Sequence, residues 1–139
     1  MATVQKSLRI PDNIARAISE TAEASGRDFS TVANELIAEA VKMRRCPGIL
    51  FADGPSGRRA RIAGTGLDVW EVVATHKSLE RDVERLTRAY HWLSEPQLRA
   101  ALGYYAAYSE EIDRQVARND VWTKERLAER YPSLAAERS

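Results

Sequence analysis

The stretch "VQKSLRIP", residues 4–11, decides how the N-terminal part of this chain is interpreted. Its side chains alternate between two faces, as the side chains of a half-buried β-strand do. One face carries Lys6, Leu8 and Ile10, and the other carries Gln5, Ser7 and Arg9. The second face offers amide, hydroxyl and guanidinium groups, which can hydrogen-bond the edges of DNA bases. No second strand pattern follows nearby, so the predicted strand lacks a partner in its own chain.

Two amphipathic helices are predicted after the strand. Asp12 or Asn13 can cap the first helix, and Gly26 ends it, because glycine takes the left-handed cap conformation without strain. Asp28 or Ser30 can cap the second helix. The apolar positions expected to face the core are Ile14, Ala17, Ile18, Thr21 and Ala22 in the first helix and Val32, Ala33, Leu36, Ile37, Ala40 and Val41 in the second.

A strand and two helices within residues 1–46 are too small to bury a core of their own. Two copies of the chain would solve this problem and would also give each strand a partner. We therefore predict a homodimer in which the strands pair antiparallel across a two-fold axis and four helices pack beneath them. Its core is expected to contain Leu8, Ile10, Leu36 and Ile37.

Residues 3–46 resemble the ribbon-helix-helix DNA-binding proteins of the Arc and CopG repressor type. The shared features are the alternating strand, the proline after it, "SGRDFS" between the helices and the wide apolar stripe of the second helix. The resemblance implies that the paired strands enter the major groove of DNA. Gln5, Ser7 and Arg9 would then read bases, with arginine suited to guanine and glutamine to adenine. The alternative interpretation is an ordinary amphipathic strand with solvated polar side chains.

The same resemblance implies contacts to the DNA phosphates. Phe29, Ser30 and Thr31, at the start of the second helix, would supply backbone and hydroxyl donors, as helix N-termini do for anions. Lys6 stands where the family often has an apolar residue, and its long side chain can reach a phosphate.

A β-hairpin or extended arm is predicted in "PGILFADGPSGRRARIAGTG", residues 47–66, around a turn at Gly54–Gly57. Its basic cluster could contact the DNA backbone or an acidic partner. Such a run is more commonly a solvated strand edge that discourages aggregation. The cluster consists of Arg58, Arg59 and Arg61.

Three short helices compatible with a helix-turn-helix are predicted from Thr65 onward. Thr65 and Asp68 have capping-box spacing, Ser78 can cap the next helix, and Ser94 with Gln97 forms another capping box before a long helix. A short last helix is expected in "TKERLAERY", residues 123–131. The positions expected to point inward are Leu79, Val83, Leu86, Tyr90, Leu98, Leu102, Tyr105, Ile112 and Val116.

Residues 47–113 resemble a small bacterial domain known as domain of unknown function 433. The most specific matches are "AGTG" and "AALGYY" followed by "EID"; Gly66 stands where that family often has arginine. The resemblance implies a homeodomain-like trihelical fold and an antitoxin of VapB type that blocks a PIN-like ribonuclease toxin.

The toxin-binding surface is expected on the last long helix. Trp70 and Tyr105 are expected in the core, whereas Tyr104 and Tyr108 lie four residues apart and could form an exposed aromatic patch. Beside them lies an acidic cluster of Glu110, Glu111 and Asp113. Residues 64–139 carry eleven Lys and Arg against thirteen Asp and Glu, which suits a basic, RNA-cleaving partner. A solvated acidic helix end is the alternative.

Enzyme, metal and cofactor functions are not indicated. The histidines, His76 and His91, lie in separate helical stretches, and Cys46, the single cysteine, is far from both in sequence. No metal-ligand spacing appears, and "GTG" lacks the third glycine of a dinucleotide fingerprint. The single cysteine excludes an internal disulfide and fits a reducing cytoplasm. No apolar run approaches a membrane span, and no signal peptide is apparent.

The sequence therefore predicts a mainly α-helical, cytoplasmic DNA-binding regulator without a cofactor. Its expected parts are a ribbon-helix-helix domain (1–46), a hairpin plus trihelical domain (47–120) and a short C-terminal helix with a tail (121–139). The expected partners are operator DNA, a second copy of the chain and a toxin encoded nearby. One alternative is a stand-alone repressor whose second domain senses a ligand or adds DNA contacts. Another is a dimeric adaptor that does not bind DNA.

Overall fold

The computed structural model describes residues 2–55 and 57–130, with side chains described as far as Asn119. The chain divides into two compact units, Met1–Lys42 (unit 1) and Met43–Ser139 (unit 2). The described part is mainly helical with one small hairpin. In chain order, its elements are α1 (Asp12–Ser25), α2 (Phe29–Arg45), β1 (Ile49–Gly54), β2 (Gly57–Ile62), α3 (Val69–Ser78), α4 (Val83–Ala89), α5 (Glu95–Ala107) and α6 (Ser109–Arg130). None of these helices is both long enough and apolar enough to cross a membrane.

Unit 1 is a pair of helices with a small core. Three hydrophobic side chains are buried between α1 and α2: Ile18, Ala22 and Val32. The two predicted helices are confirmed, and α1 ends as expected at Gly26, whose φ of 67° is left-handed. The cap of α1 was predicted wrongly, because Asp12 lies inside the helix and its carboxylate pairs with Arg16 at 2.7 Å.

The predicted ribbon strand is not assigned in the single chain. Residues 2–11 belong to no helix or strand, and only Ile10 among residues 4–10 is partly buried. Within the described part of the chain, residues 4–10 find no backbone hydrogen-bond partner. A strand needs a neighbour to complete its hydrogen bonds, so pairing between two copies stays a prediction.

Unit 2 begins with the predicted hairpin, which is confirmed. β1 and β2 pair antiparallel in a register that runs from Ile49 opposite Ile62 to Gly54 opposite Gly57. The inward face of the hairpin buries Ile49, Ala60 and Ile62 against the helices.

Helix α3 lies at the centre of unit 2, since it packs against β2, α4, α5 and α6. The predicted capping box of Thr65 and Asp68 is wrong. Asp68 is itself the N-cap, and its box partner is Glu71, whose Oε2 accepts the Asp68 amide at 2.8 Å. Thr65 instead closes the preceding turn, with its hydroxyl donating to the Ile62 carbonyl at 2.8 Å.

The start of α4 also differs from the prediction. Ser78 is the last residue of α3, and Asp82 caps α4 by accepting the Glu84 and Arg85 amides at 3.0 and 3.2 Å. The turn between these helices places Glu80 and Arg81 at positive φ, which sequence propensity does not predict for residues other than glycine. Val83, which was expected to point inward, is 57% exposed, whereas Leu86 is fully buried as expected.

The predicted long helix is two helices. Ser94 and Gln97 form the expected capping box at the start of α5, with bonds of 3.2 and 2.8 Å. That helix ends at Ala107, with Tyr108 as its C-cap, and α6 begins at Ser109 and continues to Arg130 without a separate last helix. Residues 131–139 lie outside the described part, as does the final residue of the predicted last helix.

Candidate nucleic-acid interface

One face of unit 1 is apolar and exposed to solvent. Leu8 is 68% exposed, Ile37 54% and Leu36 44%. Ile14, Phe29 and Val41 are also exposed. An open groove of about 750 Å³ crosses this face, lined by residues 8–11 and by apolar side chains of α1 and α2. Contiguous exposed apolar surface of this kind marks a surface that another molecule covers.

The predicted base-reading side chains are accessible. Gln5, Ser7 and Arg9 are all exposed. No hydrogen bond or ion pair joins them to other described residues. Lys6 and Arg9 line the rim of the apolar groove. These side chains are consequently available for contact with an external partner.

The start of α2 is the second predicted contact region, and its donors are partly in use. The Asp28 carboxylate accepts the Thr31 amide at 2.7 Å and also binds the Thr31 hydroxyl. These two hydrogen bonds lower the pKa of Asp28 below its ordinary range. Thr31 is thus engaged inside the chain, and its expected role as a phosphate donor stays a prediction. The backbone amides of Phe29 and Ser30 and the Ser30 hydroxyl have no acceptor among the described residues.

Arg27, beside this helix start, is also engaged. Its guanidinium forms a forked ion pair with Glu35, with N–O distances of 3.0 and 3.1 Å. This pair ties the turn between the two helices to the body of α2. The cation nearest in sequence to Asp28 is therefore held by another carboxylate.

The basic cluster of the hairpin has an internal role that the sequence did not indicate. The Asp68 side chain is only 4% exposed and lies between Arg59 and Arg61, at Nε–Oδ distances of 2.9 and 3.0 Å. The Arg59 contact is an ion pair without hydrogen-bond alignment, whereas Arg61 donates a hydrogen bond. Trp70 Nε1 also donates to Asp68 at 3.1 Å. This Asp68 cluster fastens the hairpin to the start of α3.

Arg58, the third member of the basic run, pairs with the exposed Asp53 at 3.3 Å. All three arginines are accordingly paired with carboxylates of unit 2, and Arg59 and Arg61 share the single charge of Asp68. Their contact with DNA or a partner stays a prediction.

The predicted aromatic patch on the last helices is wrong for Tyr104. That side chain is fully buried, and its hydroxyl donates to Glu111. Burial and the neighbouring Glu111 carboxylate raise the pKa of Tyr104 above its ordinary value. The ring centroid of Tyr108, which is half-buried, lies 4.9 Å from that of Tyr104. Tyr104 belongs to the hydrophobic cluster of unit 2, where its ring also packs against Phe51.

The predicted acidic cluster is also partly neutralised. Asp113 accepts Lys77 Nζ at 2.7 Å and the Tyr105 hydroxyl at 2.8 Å. The hydrogen bond from Lys77 lowers the pKa of Asp113, and the same bond raises the pKa of Lys77. Glu110 remains exposed at the start of α6. The toxin-binding surface expected from the sequence is therefore not assembled as one patch.

No three His, Cys, Asp or Glu side chains in residues 2–55 and 57–119 are grouped so that they could hold a metal ion. Burial raises the pKa of the Cys46 thiol, which makes it a poor nucleophile at neutral pH.

Comparison with known proteins gives no relative: no family model, no curated protein and no solved structure matches this chain. The candidate interface rests on the exposed apolar face of unit 1, the accessible polar side chains beside it and the motifs of residues 3–46.

Proposed function

We propose that the protein is a homodimeric, sequence-specific DNA-binding regulator that reads DNA with unit 1. The observation that carries this proposal is the combination of an exposed apolar face with an unpaired alternating segment. Leu8, Leu36 and Ile37 are exposed on unit 1, and residues 4–10 have no backbone partner in the described chain. A second copy, placed symmetrically, covers the apolar face and pairs the two segments.

Burial of the exposed apolar side chains favours this arrangement. Burying an aliphatic side chain completely contributes about 1.5–3 kcal/mol. The half-exposed side chains of unit 1 would each gain a fraction of that amount in a dimer. Among its described residues, unit 1 buries only three hydrophobic side chains in the single chain, Ile18, Ala22 and Val32, so this gain is large relative to its own core. Folding of unit 1 and dimerisation are therefore proposed to be one event.

Base recognition is assigned to the face of the ribbon that points away from the helices. Arg9 can bind guanine through O6 and N7, and Gln5 can bind adenine through N6 and N7. Ser7 is short and contributes least. The net charge of the chain is only +1, so affinity for DNA has to come from such local contacts. Lys6 and the free donors of Phe29 and Ser30 would hold the phosphates on either side.

Selection of bound duplexes from a random library tests this proposal. Arg9→Ala should lower discrimination at one base position by about 1–3 kcal/mol, because a bidentate contact to guanine is lost. Arg16→Ala is the matched control, since it removes the same charge from an exposed residue of α1. Ser30→Ala should weaken binding to all sequences alike.

Two results would contradict the DNA-binding proposal. In one, no duplex is enriched and no salt-dependent binding is seen, which would favour the adaptor. In the other, Gln5→Ala/Arg9→Ala binds with unchanged affinity and preference, which would put the DNA surface elsewhere.

A narrower proposal is that the regulator is a type II antitoxin whose unit 2 blocks a PIN-like ribonuclease. It rests on the resemblance of residues 47–113 alone, and the aromatic and acidic residues first expected to bind the toxin are largely engaged within unit 2. Co-expression of the full chain with the neighbouring gene product tests it. Co-purification and rescue from toxicity would support it. A regulator that binds DNA but neither captures nor neutralises that product is a stand-alone repressor.

A further inference from the structure

We propose that Arg59 and Arg61, on the hairpin of unit 2, together bind a backbone phosphate of the DNA that unit 1 reads. This inference rests on the proposed function, because the phosphate belongs to the same duplex. The contact is the same for every DNA sequence, since phosphates carry no sequence information directly. Asp68, which lies between the two arginines, is assigned the role of a positioning residue.

The two arginines lie on the outer face of the hairpin. Ala60 and Ile62 alternate with them along β2 and are buried in the core of unit 2, so Arg59 and Arg61 belong to the opposite face. Their side chains are nevertheless only 17% and 29% exposed. Each guanidinium is therefore held against the protein while part of its side chain remains accessible.

The hydrogen bonds of these two arginines are incomplete. Arg59 Nε lies 2.9 Å from Asp68, but this buried atom has no hydrogen bond, and no other donor of Arg59 finds an acceptor among the described residues. Within the same part of the chain, Arg61 donates only from its Nε, to Asp68. Partly buried polar groups are normally hydrogen-bonded, and unfilled donors are costly. The two guanidiniums therefore offer donors that an external oxyanion can satisfy.

Gly54 provides the space in which the Arg59 guanidinium lies. A Cβ atom on Gly54 would stand 2.2 Å from Nε and 2.5 Å from Nη2 of Arg59, closer than atoms approach in real proteins. The φ of Gly54 is not positive, so its backbone conformation is open to other residues. The lack of a side chain at residue 54 thus serves the placement of Arg59.

The chemistry of the site favours a phosphate. Arginine presents planar, parallel N–H donors that match the oxygens of a phosphate group. Two guanidiniums share the Asp68 carboxylate, and the Glu71 carboxylate lies at the same helix start, where it accepts the Asp68 amide. The local charge is therefore close to balanced. Affinity has to come from the directed donors rather than from net charge.

The phosphate is assigned to DNA because the two units are closely connected along the chain. α2 begins in unit 1 and ends in unit 2, and only residues 46–48 separate it from β1. A duplex held by unit 1 is consequently presented to the hairpin at a high effective concentration. A free phosphate ion has no such advantage.

The first test measures duplex binding by the full-length protein at several salt concentrations, using fluorescence anisotropy and a duplex enriched by selection. Each phosphate contact adds about 0.9 to the slope of the logarithm of the binding constant against the logarithm of salt concentration. Arg59→Gln/Arg61→Gln removes one contact in each copy of the dimer. The slope should fall by about 2, and binding of every sequence should weaken roughly thirty- to hundredfold at about 0.1 M salt.

A second variant disturbs the site without changing any charge. Gly54→Ala forces the Arg59 guanidinium out of its position and should weaken binding about three- to tenfold. Gly103→Ala is its matched control, because a Cβ atom there meets nothing within 4 Å. Arg99→Gln is the control for charge, since it removes a cation from an exposed residue of α5 that pairs with Glu95. Both controls should bind within about twofold of the wild type. Circular dichroism checks that each variant is folded.

A second measurement needs no variant. The Nε–H signals of Arg59 and Arg61 in the nuclear magnetic resonance spectrum of the full-length protein should shift when duplex is added. Inorganic phosphate alone, at the same concentration of phosphate groups, should shift them much less. This comparison separates a DNA phosphate from a free one.

Three outcomes would overturn the inference. Unchanged affinity and salt slope in folded Arg59→Gln/Arg61→Gln would mean that the hairpin binds no phosphate. An equal loss in Arg99→Gln would assign the effect to overall charge. Equal shifts with inorganic phosphate and with duplex would make a small anion the ligand. If the wild type binds no duplex, the proposed function fails as well, whereas sequence-specific binding that does not involve the two arginines removes this inference alone.

Discussion

Unit 1 and unit 2 differ in whether each completes its own core. Among the described residues, unit 2 buries twelve hydrophobic side chains in one cluster, from Ile49 in the hairpin to Ile112 in α6. Unit 1 buries three and exposes Leu8, Leu36 and Ile37. Unit 2 therefore buries a hydrophobic core within one chain. Unit 1 leaves much of its apolar surface exposed, as one half of a shared core would. This difference is the basis of the proposal that the dimer forms through unit 1.

The largest effect is expected when a charge replaces an exposed apolar side chain of unit 1, and the same change at an exposed apolar side chain of unit 2 serves as the control. Leu36→Asp should abolish the dimer and unfold unit 1, because a carboxylate buried in the shared core costs several kcal/mol, on the order of 3–5. Sedimentation and circular dichroism measure both effects. Val83→Asp in unit 2 is the control, since Val83 is 57% exposed and needs no partner. A Leu36→Asp protein that stays dimeric and fully helical would refute the shared core.

A second substitution tests the core of unit 2. Leu86 is fully buried, so Leu86→Ala should destabilise unit 2 by about 2–5 kcal/mol through lost contacts and a residual cavity. Thermal unfolding should then show a lower transition for unit 2 that does not depend on protein concentration. The transition of unit 1 should rise with concentration, as expected for a structure that folds only as a dimer. If neither transition depends on protein concentration, unit 1 does not need a second copy to fold.

The Asp68 cluster offers a smaller effect within unit 2. Asp68→Asn keeps a capping side chain but removes the charge between Arg59 and Arg61, and it should cost about 1–3 kcal/mol because charged hydrogen bonds are lost in a buried site. Asp53→Asn breaks only the exposed pair with Arg58 and should cost less than about 0.5 kcal/mol. Denaturant unfolding compares the two variants. Equal losses of unfolding free energy in the two variants would mean that the Asp68 cluster stabilises unit 2 no more than a surface ion pair does.

The smallest expected effect is the pH dependence of the Lys77–Asp113 pair. The folded pKa of Asp113 lies below its ordinary value of 3.8, so its stabilising contribution is complete above that value and is lost as pH falls further. The folded pKa of Lys77 lies above 10.5, so its contribution is lost only as pH rises beyond that value. Asp113→Asn should therefore lower the midpoint of thermal unfolding slightly at neutral pH. The difference from wild type should vanish in strong acid, and a difference that grows there would contradict the assignment.

Sequence reasoning succeeded where a local signal is unique. Gly26 was the available left-handed cap after α1, and Gly54–Gly57 was the evident turn between two strand patterns. Ser94 and Gln97 had capping-box spacing at the start of a strong apolar periodicity. These features depend on residues close in the chain, so neighbouring structure does not alter them.

Sequence reasoning failed where two signals compete or where tertiary contact decides. Thr65–Asp68 and Asp68–Glu71 both have capping-box spacing, and only the burial of Asp68 between two arginines distinguishes them. The end of α5 carries neither glycine nor proline, so the break before Ser109 was not predicted. The burial of Tyr104 was not predicted either, because it depends on packing against other elements of unit 2. The engagement of Thr31 by Asp28 had a visible signal, since Asp28 was one of two cap candidates.

The most direct test of the central claim is amide hydrogen exchange in residues 4–10 as a function of protein concentration. These residues have no backbone partner in the described chain, and protection that depends on protein concentration has to come from a second molecule. We predict that alternate amides in residues 4–10 are protected when the protein is dimeric, and that this protection is lost on dilution and in Leu36→Asp. Exchange of residues 4–10 at the rate of an unstructured peptide, in a protein that sediments as a dimer, would contradict the paired ribbon.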